Sequence, residues 1–187
     1  LHDAHVIADP QARKSKIEEG LIKENPDVHI DEGLLNEVNN LVEWPVPISC
    51  SFEEEFLEVP HAALIASMQD HQKFFPVKDK KDPHKVSNQF IGVSNIESTR
   101  TASVREGYER VIRPPLADAR FFSEKDIKQP LDAVMPLLDR VVFQKEIGTV
   151  GDKCRRMSAV SEKIADDLSL SSVHASRAAL LSKCDLM

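Results

Sequence analysis

Residues 74–93 read FFPVKDKKDPHKVSNQFIGV, and this stretch decides the fold class. Its two apolar runs, Phe74–Val77 and Gln89–Val93, contain the aromatic and β-branched residues that strands favour. The polar DKKDPHKVSN between them has the composition of a connection rather than of a strand. The sequence therefore predicts a β-hairpin in the middle of the chain.

Helical patterns precede this hairpin. Asp9-Pro10 predicts a capped helix start, and Asp31 precedes a second run in which apolar residues recur at helical spacing. Pro60 is placed to begin a third helix. VPIS at residues 46–49 predicts a short strand, at a sheet edge because proline cannot donate to a neighbouring strand. Strands interspersed with helices predict an α+β fold.

Helical patterns also follow the hairpin. Residues 103–112 and 116–127 predict two helices at an angle, because Pro114-Pro115 between them lacks the N–H groups that a continuous helix requires. Beyond residue 143 the pattern is helical only, over residues 149–168 and 172–184. We therefore predict an α+β module over residues 1–143 and an all-helical segment over residues 144–187.

Length and composition favour a soluble, cytoplasmic globular protein. The 187 residues are 41% hydrophobic, contain no run of 18 apolar residues, and begin without the features of a secretory signal. Three widely spaced cysteines fit neither a disulfide framework nor a zinc motif, so we expect reduced thiols. The chain starts at Leu1 and stops within a helical pattern at Met187, which suggests a piece of a longer protein.

The distribution of charge matters more than the net charge of −7. Residues 1–67 contain 14 acidic and 4 basic side chains, residues 68–128 contain 9 and 12, and residues 129–187 contain 8 of each. A surface that binds nucleic acid neutralises phosphates with lysine and arginine. Any RNA contact is therefore expected within residues 68–128.

Motifs for small-molecule chemistry are absent from the sequence. Neither the dinucleotide-binding nor the P-loop glycine pattern occurs, and no serine lies in a nucleophile elbow. His2 and His5 have helical spacing, but no second ligand pair follows at zinc spacing. His71 beside Asp70 needs no acid–base role, and the acidic residues 53–55 lack a calcium-loop pattern. We predict no catalytic residue and no metal site.

Basic residues among aromatic ones are the stronger signal for function. Such a mixture is suited to RNA backbone and unpaired bases, and Phe74, Phe75 and Tyr108 lie in the same third of the chain. The candidate RNA-contacting residues are Lys73, Arg105, Arg110, Arg113 and Arg120.

Two structural interpretations compete with RNA contact. The doubled phenylalanines, at residues 74–75 and 121–122, are typical of core packing at the ends of elements. Arg110 and Arg113 equally fit ion pairs with Glu106 and Glu109 on a helix surface.

An ordered series of short motifs extends over nearly the whole chain. It includes LLNEVNNLVEWPVPISCSFEEEFLEVP, MQDHQKFFPV, FIGVSNIES, VREGYERV, LADARFFSEKDIKQPL, VVFQKEIGTVGDKCRRM and AALLSKCDLM. In order and spacing, this series resembles the beta subunit of bacterial glycyl-tRNA synthetase. Two positions depart from that family's pattern, which has asparagine in place of Tyr108 and an arginine-alanine-arginine run in place of Arg113-Pro114-Pro115.

The resemblance implies part of a heterotetramer, with two alpha and two beta chains, that joins glycine to its tRNA and uses ATP. The aminoacylation site of this family is on the alpha subunit, so the resemblance implies no catalytic residue and no cofactor in this piece. Its expected partners are the alpha subunit and glycine tRNA. The helical segment would be the start of an HD-like domain, although His174 has no His-Asp partner downstream.

Two rival functions remain open from the sequence. One is a standalone, metal-dependent phosphohydrolase of the HD type, suggested by the helical segment. The other is a protein-interaction scaffold in the same synthetase that has no RNA contact of its own. Metal content and the effect of arginine charge reversal on tRNA affinity distinguish these rivals from a tRNA-positioning role.

Overall fold

The computed structural model describes residues 5–187 and divides into two compact units. The first ends at Ser123 and the second is Glu124–Met187. In the first unit the helices are α1 (Pro10–Glu24), α2 (Glu32–Leu41), α3 (His61–Ala66) and α4 (Thr101–Asp126), and the last of these continues into the second unit. Its strands are β1 (Val46–Ser51), β2 (Phe75–Lys78) and β3 (Val86–Ser94). The mixed composition confirms the predicted α+β fold class.

The three strands form an antiparallel sheet in the order β1-β3-β2. The predicted hairpin is β2 and β3, in which Pro76 lies opposite Phe90. β1 pairs with the other side of β3, with Pro47 opposite Val93. Because β1 has a neighbour on one side only, the prediction of an edge strand is confirmed.

Adjacent residues of β3 point to opposite faces of the sheet and enter two different cores. Ile91 is fully buried with Phe75 against α1 and α2, where Ile17 and Leu35 also lie. Phe90 is fully buried on the other face, in a cluster that includes residues of α3 and α4. The sheet is therefore the middle of three layers.

The sequence signals for helix starts operate as predicted. The Asp9 carboxylate accepts the backbone N–H groups of Gln11 and Ala12 at 2.7 and 3.0 Å. The Asp31 carboxylate accepts the N–H of Leu34 at 2.9 Å. These bonds satisfy donors that the first helical turn leaves without intrahelical partners, which places the starts of α1 and α2.

The predicted break at Pro114-Pro115 is wrong, because α4 is one helix of 26 residues that contains both prolines. Ile112 and Leu116 on the same helix are fully buried in the core of the first unit. The carbonyls that lose a helical partner belong to Arg110 and Val111, which lie on the exposed side where water can solvate them. Packing of the buried face thus outweighs the local preference for a break.

The second unit contains α5 (Leu131–Val134), β4 (Val142–Gln144), β5 (Gly148–Thr149), α6 (Val150–Asp167) and α7 (Ser172–Leu181). Leu138 packs with Val150, Cys154 and Cys184 in its small core. Compact packing divides the chain after Ser123, and Leu138 lies in the core of the second unit. The predicted domain boundary at residue 143 stays a prediction. The HD-like identity of this unit stays a prediction.

Candidate nucleic-acid interface

The five candidate RNA-contacting cations all belong to the first unit, and four of them lie on α4. Burial of Ile112 and Leu116 fixes the orientation of this helix. By the helical period Arg105 lies on the same face as these two residues, nearer the start of the helix, whereas Arg110 lies on the opposite face. Arg105, Arg110 and Arg113 are exposed, and Arg120 is half-buried. The partners of each cation determine whether it is available to phosphate.

Arg105 is bound to the backbone of the edge strand. Its Nε–H donates to the carbonyl of Ser49 at 2.8 Å. Glu24 accepts the N–H of Ser49 at 3.2 Å, and Glu109 accepts the N–H of Ser51 at 3.0 Å. Charged side chains thus occupy backbone groups of β1 that would otherwise offer a template for another strand. Arg105 has a structural role in protecting this edge.

A short acidic 3₁₀ helix, Glu54–Glu58, together with the preceding Glu53, lies beside the second half of α4. Arg113 Nε contacts the Glu53 carboxylate at 2.6 Å. Arg120 contacts Glu55 at 2.8 Å and Glu58 at 3.8 Å. This acidic segment therefore neutralises two of the predicted RNA-binding arginines.

The Glu53 carboxylate shows the effect of these contacts. Its own backbone N–H first, and then the Arg113 guanidinium, hold the pKa of Glu53 below its ordinary value. Both side chains of the pair are nearly half exposed, at 49% and 43%. Exposed pairs of this kind contribute at most about 1 kcal/mol, and a phosphate that bound Arg113 would displace the Glu53 carboxylate.

The remaining two candidate cations also have acidic partners. Arg110 pairs with Glu106 at 2.8 Å one helical turn earlier, which confirms one of the two ion pairs considered from the sequence. The other is wrong, because Arg113 binds Glu53 while Glu109 binds β1. Lys73 pairs with Glu37 of α2 at 2.9 Å.

The aromatic residues divide between core and surface. Phe74 and Phe75 are buried, as the core interpretation predicted. Phe121 and Phe122 are instead 54% and 60% exposed, so that interpretation is wrong for this pair. The helical period explains the difference, because the buried face of α4 passes through Ile112 and Leu116 and leaves both phenylalanines off it.

Tyr108 packs inward instead of offering a ring to RNA bases. Its ring lies 5.2 Å from that of Phe74, measured between centroids. It also covers Gly92 of β3 so closely that a Cβ there would lie 2.7 Å from two ring carbons. Burial raises the pKa of the Tyr108 hydroxyl above its ordinary value. The tyrosine is therefore a packing residue between α4 and the sheet.

The second unit presents an unusual apolar surface. Two residues of α6, Val160 and Ile164, and the residue that follows the helix, Leu168, are 57%, 53% and 63% exposed and lie on one helical face. Cys154 and Ala165 on another face of the same helix are buried. Exposed apolar side chains grouped on one helical face form a surface that another protein segment can cover. We call residues 160, 164 and 168 the α6 face.

The described part of the chain contains no cluster of metal-binding side chains. Within residues 5–187, no three His, Cys, Asp or Glu side chains converge to hold a metal ion. His2 lies outside the described residues, and the His5 ring makes an edge contact with Trp44 at 4.8 Å. Cys50, Cys154 and Cys184 are buried free thiols, as predicted. No helix among these residues is long and apolar enough to cross a bilayer.

Comparison with known proteins supports the ordered motif series. The sequence profile described as "Glycyl-tRNA synthetase beta subunit" matches residues 1–187. The glycine–tRNA ligase beta subunit of Pseudoalteromonas translucida is 49% identical over 191 residues, covering all of this chain and 27% of that protein.

Two further relatives bear the same name. That of Xanthomonas campestris is 46% identical over 190 residues, and that of Chromohalobacter salexigens is 47% identical over 191 residues. Each match covers all of this chain, and respectively 27% and 28% of the relative. The chain thus spans just over a quarter of the length of these curated relatives. With a profile that matches every residue, the chain belongs to the glycyl-tRNA synthetase beta subunit family.

Proposed function

We propose that this chain is a non-catalytic region of a glycine–tRNA ligase beta subunit that supports tRNA positioning and subunit assembly. The observation that carries this proposal is the family match over residues 1–187. In this function the intact enzyme is a cytoplasmic heterotetramer with alpha subunits, and it attaches glycine to tRNA at the expense of ATP. The chain contributes surfaces to that reaction and no reacting group.

The α6 face supports the assembly part of the proposal. Exposed apolar side chains on one helix are stabilised when another protein surface covers them, at about 25 cal/mol per Å² of apolar area removed from water. About three quarters of each curated relative lies outside the region matched by this chain. We therefore assign the covering surface to the rest of the beta-subunit polypeptide.

The assembly role is tested with Ile164→Glu in the intact ligase and in the isolated 187-residue chain. Ile164 is 53% exposed in the isolated chain, so the substitution should change its stability by less than about 0.5 kcal/mol. In the intact beta subunit the same change places a charge in a covered apolar surface and should lower the unfolding temperature clearly. The matched control is Lys163→Glu, an exposed neighbour on a different face.

Three outcomes of that experiment have distinct meanings. A loss of stability in the beta subunit alone supports coverage by the same polypeptide. A loss seen only when the alpha subunit is present would assign the face to the alpha subunit instead. Equal behaviour of Ile164→Glu and Lys163→Glu in every preparation would reject the assembly role of this face.

The tRNA part of the proposal rests on the family match and on the positive balance of residues 68–128. It is tested by measuring tRNA affinity of the intact alpha–beta enzyme over a range of salt concentrations. Each phosphate that is neutralised should steepen the plot of log affinity against log salt by about 0.7 to 0.9. Affinity for tRNA that did not depend on salt would reject electrostatic positioning.

A scaffold without RNA contact is the second candidate function, and one observation favours it. All five sequence-predicted cations have protein partners, four of them carboxylates at 2.6 to 2.9 Å. Arg110→Glu tests RNA contact at α4, because Arg110 is exposed and its ion pair with Glu106 is on the helix surface. A scaffold would keep its tRNA affinity after this substitution, whereas RNA contact at α4 requires weaker binding.

A further inference from the structure

The connection between β2 and β3 carries a concentration of positive charge that the α4 arginines do not have. Its exposed side chains include four lysines and a histidine, and its two aspartates are half-buried. We call residues 78–85 the lysine loop; the five exposed groups are Lys78, Lys80, Lys81, His84 and Lys85.

The aspartates of the lysine loop are directed to its own backbone. One oxygen of Asp79 accepts the N–H groups of Lys81 and Asp82, at 2.7 and 2.9 Å. One oxygen of Asp82 accepts the N–H of His84 at 3.1 Å. Hydrogen bonds from the N–H groups of Asp82 and Lys81 hold the pKa of Asp79 below its ordinary value. The acidic groups therefore stabilise the turn, while the basic groups point to solvent.

Backbone hydrogen bonds fix the shape of the lysine loop. The N–H of Asp79 donates to the carbonyl of Lys85 at 2.9 Å, and the N–H of Lys85 donates to the carbonyl of Asp82 at 2.9 Å. At its start, the N–H of Lys78 donates to the carbonyl of Asp27 at 2.9 Å. A loop held in this way presents its lysines from a defined position, so little backbone entropy is lost when a ligand binds.

The lysines lie farther from acidic side chains than the α4 arginines do. The Lys80 Nζ lies 3.9 Å from the Asp27 carboxylate, and the Lys85 Nζ lies 3.8 Å from the Asp82 carboxylate. These two lysine side chains are 81% and 58% exposed, and such solvated pairs contribute close to nothing. Lys78 and Lys81 form no ion pair within the described part of the chain. A phosphate can approach these ammonium groups without displacing a closely bound carboxylate.

Resting on the proposed function, we propose that the lysine loop, and not the arginine group of α4, contacts the phosphate backbone of tRNA. Lysine is a compact point charge on a flexible stem and suits phosphate contacts that position a nucleic acid without reading its sequence. This interpretation places the RNA-facing surface at the tip of the β2–β3 hairpin. In the same proposal the arginines of α4 keep the hydrogen bonds and ion pairs that they form within the protein.

The test uses the intact alpha–beta ligase with Lys80, Lys81 and Lys85 replaced together by alanine. Asp79 and Asp82 stay, so the hydrogen bonds that shape the turn are retained. The matched control removes the same charge elsewhere through Lys23→Ala, Lys145→Ala and Lys163→Ala, which are also exposed. tRNA dissociation constants are measured from low to high salt, and thermal unfolding verifies that each variant is folded.

The loop variant should weaken tRNA binding at low salt and reduce the salt slope by about 0.7 to 0.9 for each phosphate that is no longer neutralised. The control variant should keep most of the parent slope. An unchanged slope and affinity in the folded loop variant would overturn the proposal. So would an equal effect in both variants, which would indicate a general dependence on net charge.

The failure of this proposal is distinguishable from failure of the proposed function. If Arg110→Glu reduces the slope and the loop variant does not, tRNA positioning stands and the lysine loop is rejected. If neither variant changes tRNA affinity while glycylation by the parent enzyme continues, the scaffold function is supported and the lysine loop is rejected with the tRNA role.

Discussion

Gly92 and Tyr108 provide a direct test of how α4 packs on the sheet. A Cβ at residue 92 would lie 2.7 Å from Cδ2 and Cε2 of Tyr108 and 3.1 Å from Cε1 of Phe74. Tyr108 is half-buried against these residues, so its ring has to move if alanine replaces the glycine. Forced repacking of this kind costs about 1 to 3 kcal/mol.

The close approach of Tyr108 to residue 92 predicts a large coupling in a double-mutant cycle. Gly92→Ala should destabilise the parent chain by about 2 kcal/mol, but in a Tyr108→Ala background the added methyl group meets little resistance. The destabilisation by Gly92→Ala should therefore be about 1 to 2 kcal/mol larger in the parent chain than in Tyr108→Ala. A coupling of this size is within the range for residues in direct contact. Gly107→Ala is the control, since nothing lies within 4 Å of its added Cβ and alanine favours a helix.

The assay is urea unfolding, monitored by far-ultraviolet circular dichroism. The free energies of unfolding of two variants are compared only if they depend on urea concentration with the same slope. Gly107→Ala should be neutral or stabilising by about 0.5 to 1 kcal/mol. The prediction is refuted if Gly92→Ala lowers the free energy of unfolding by the same amount in the parent chain and in Tyr108→Ala. That result would show that the tyrosine ring does not oppose a side chain at residue 92.

Four further predictions concern a helix cap, the titration of a carboxylate, a thiol and an ion pair. Thr149→Ala should destabilise the second unit by about 1 kcal/mol, because its hydroxyl accepts the N–H of Asp152 at 3.0 Å, and an unchanged unfolding midpoint would contradict this. The backbone N–H of Thr149 lowers the pKa of Asp152, so the stabilisation by this carboxylate should be complete above its ordinary pKa of 3.8 and disappear as the pH falls through the lower folded-state pKa. A titration of the unfolding midpoint from about pH 6 to about pH 2 measures this, and the decrease should be smaller in Asp152→Asn than in the parent chain. Burial and the charge of Glu109 raise the pKa of the Cys50 thiol to about 12, so iodoacetamide at about pH 8 should label it only after unfolding, and rapid labelling of the folded chain would show that the thiol is accessible. A double-mutant cycle with Glu53→Ala and Arg113→Ala should give at most about 1 kcal/mol, decreasing with salt, whereas a larger and salt-independent coupling would indicate a desolvated pair.

Local signals were sufficient for most of the secondary structure. Asp9 and Asp31 cap helices because short carboxylates reach the free N–H groups of the next turn in any context. Residues 74–93 form the hairpin because both apolar runs and their polar connection agree. The prediction of a break at Pro114-Pro115 was wrong, because burial of Ile112 and Leu116 against distant parts of the chain stabilises α4 as one helix.

The candidate interface was less predictable than the fold. A count of basic residues correctly identifies residues 68–128 as positive, but it cannot show which cation faces a carboxylate from another segment. Arg113 meets Glu53, which is 60 residues away in the sequence. In the lysine loop, by contrast, the aspartates accept hydrogen bonds from backbone N–H groups of the loop, and the lysines are exposed to solvent. Segregation of charge within residues 78–85 is visible only once the hydrogen bonds are known.

Family membership, the hairpin and the helix starts follow from the order of residues along the chain, because motif spacing, caps and apolar periodicity are local properties. The uninterrupted α4, the pairing of its arginines and the exposure of Phe121 and Phe122 follow from the folded arrangement. Each depends on which distant side chains come within a few ångströms, and only the packing of helices on the sheet determines those distances.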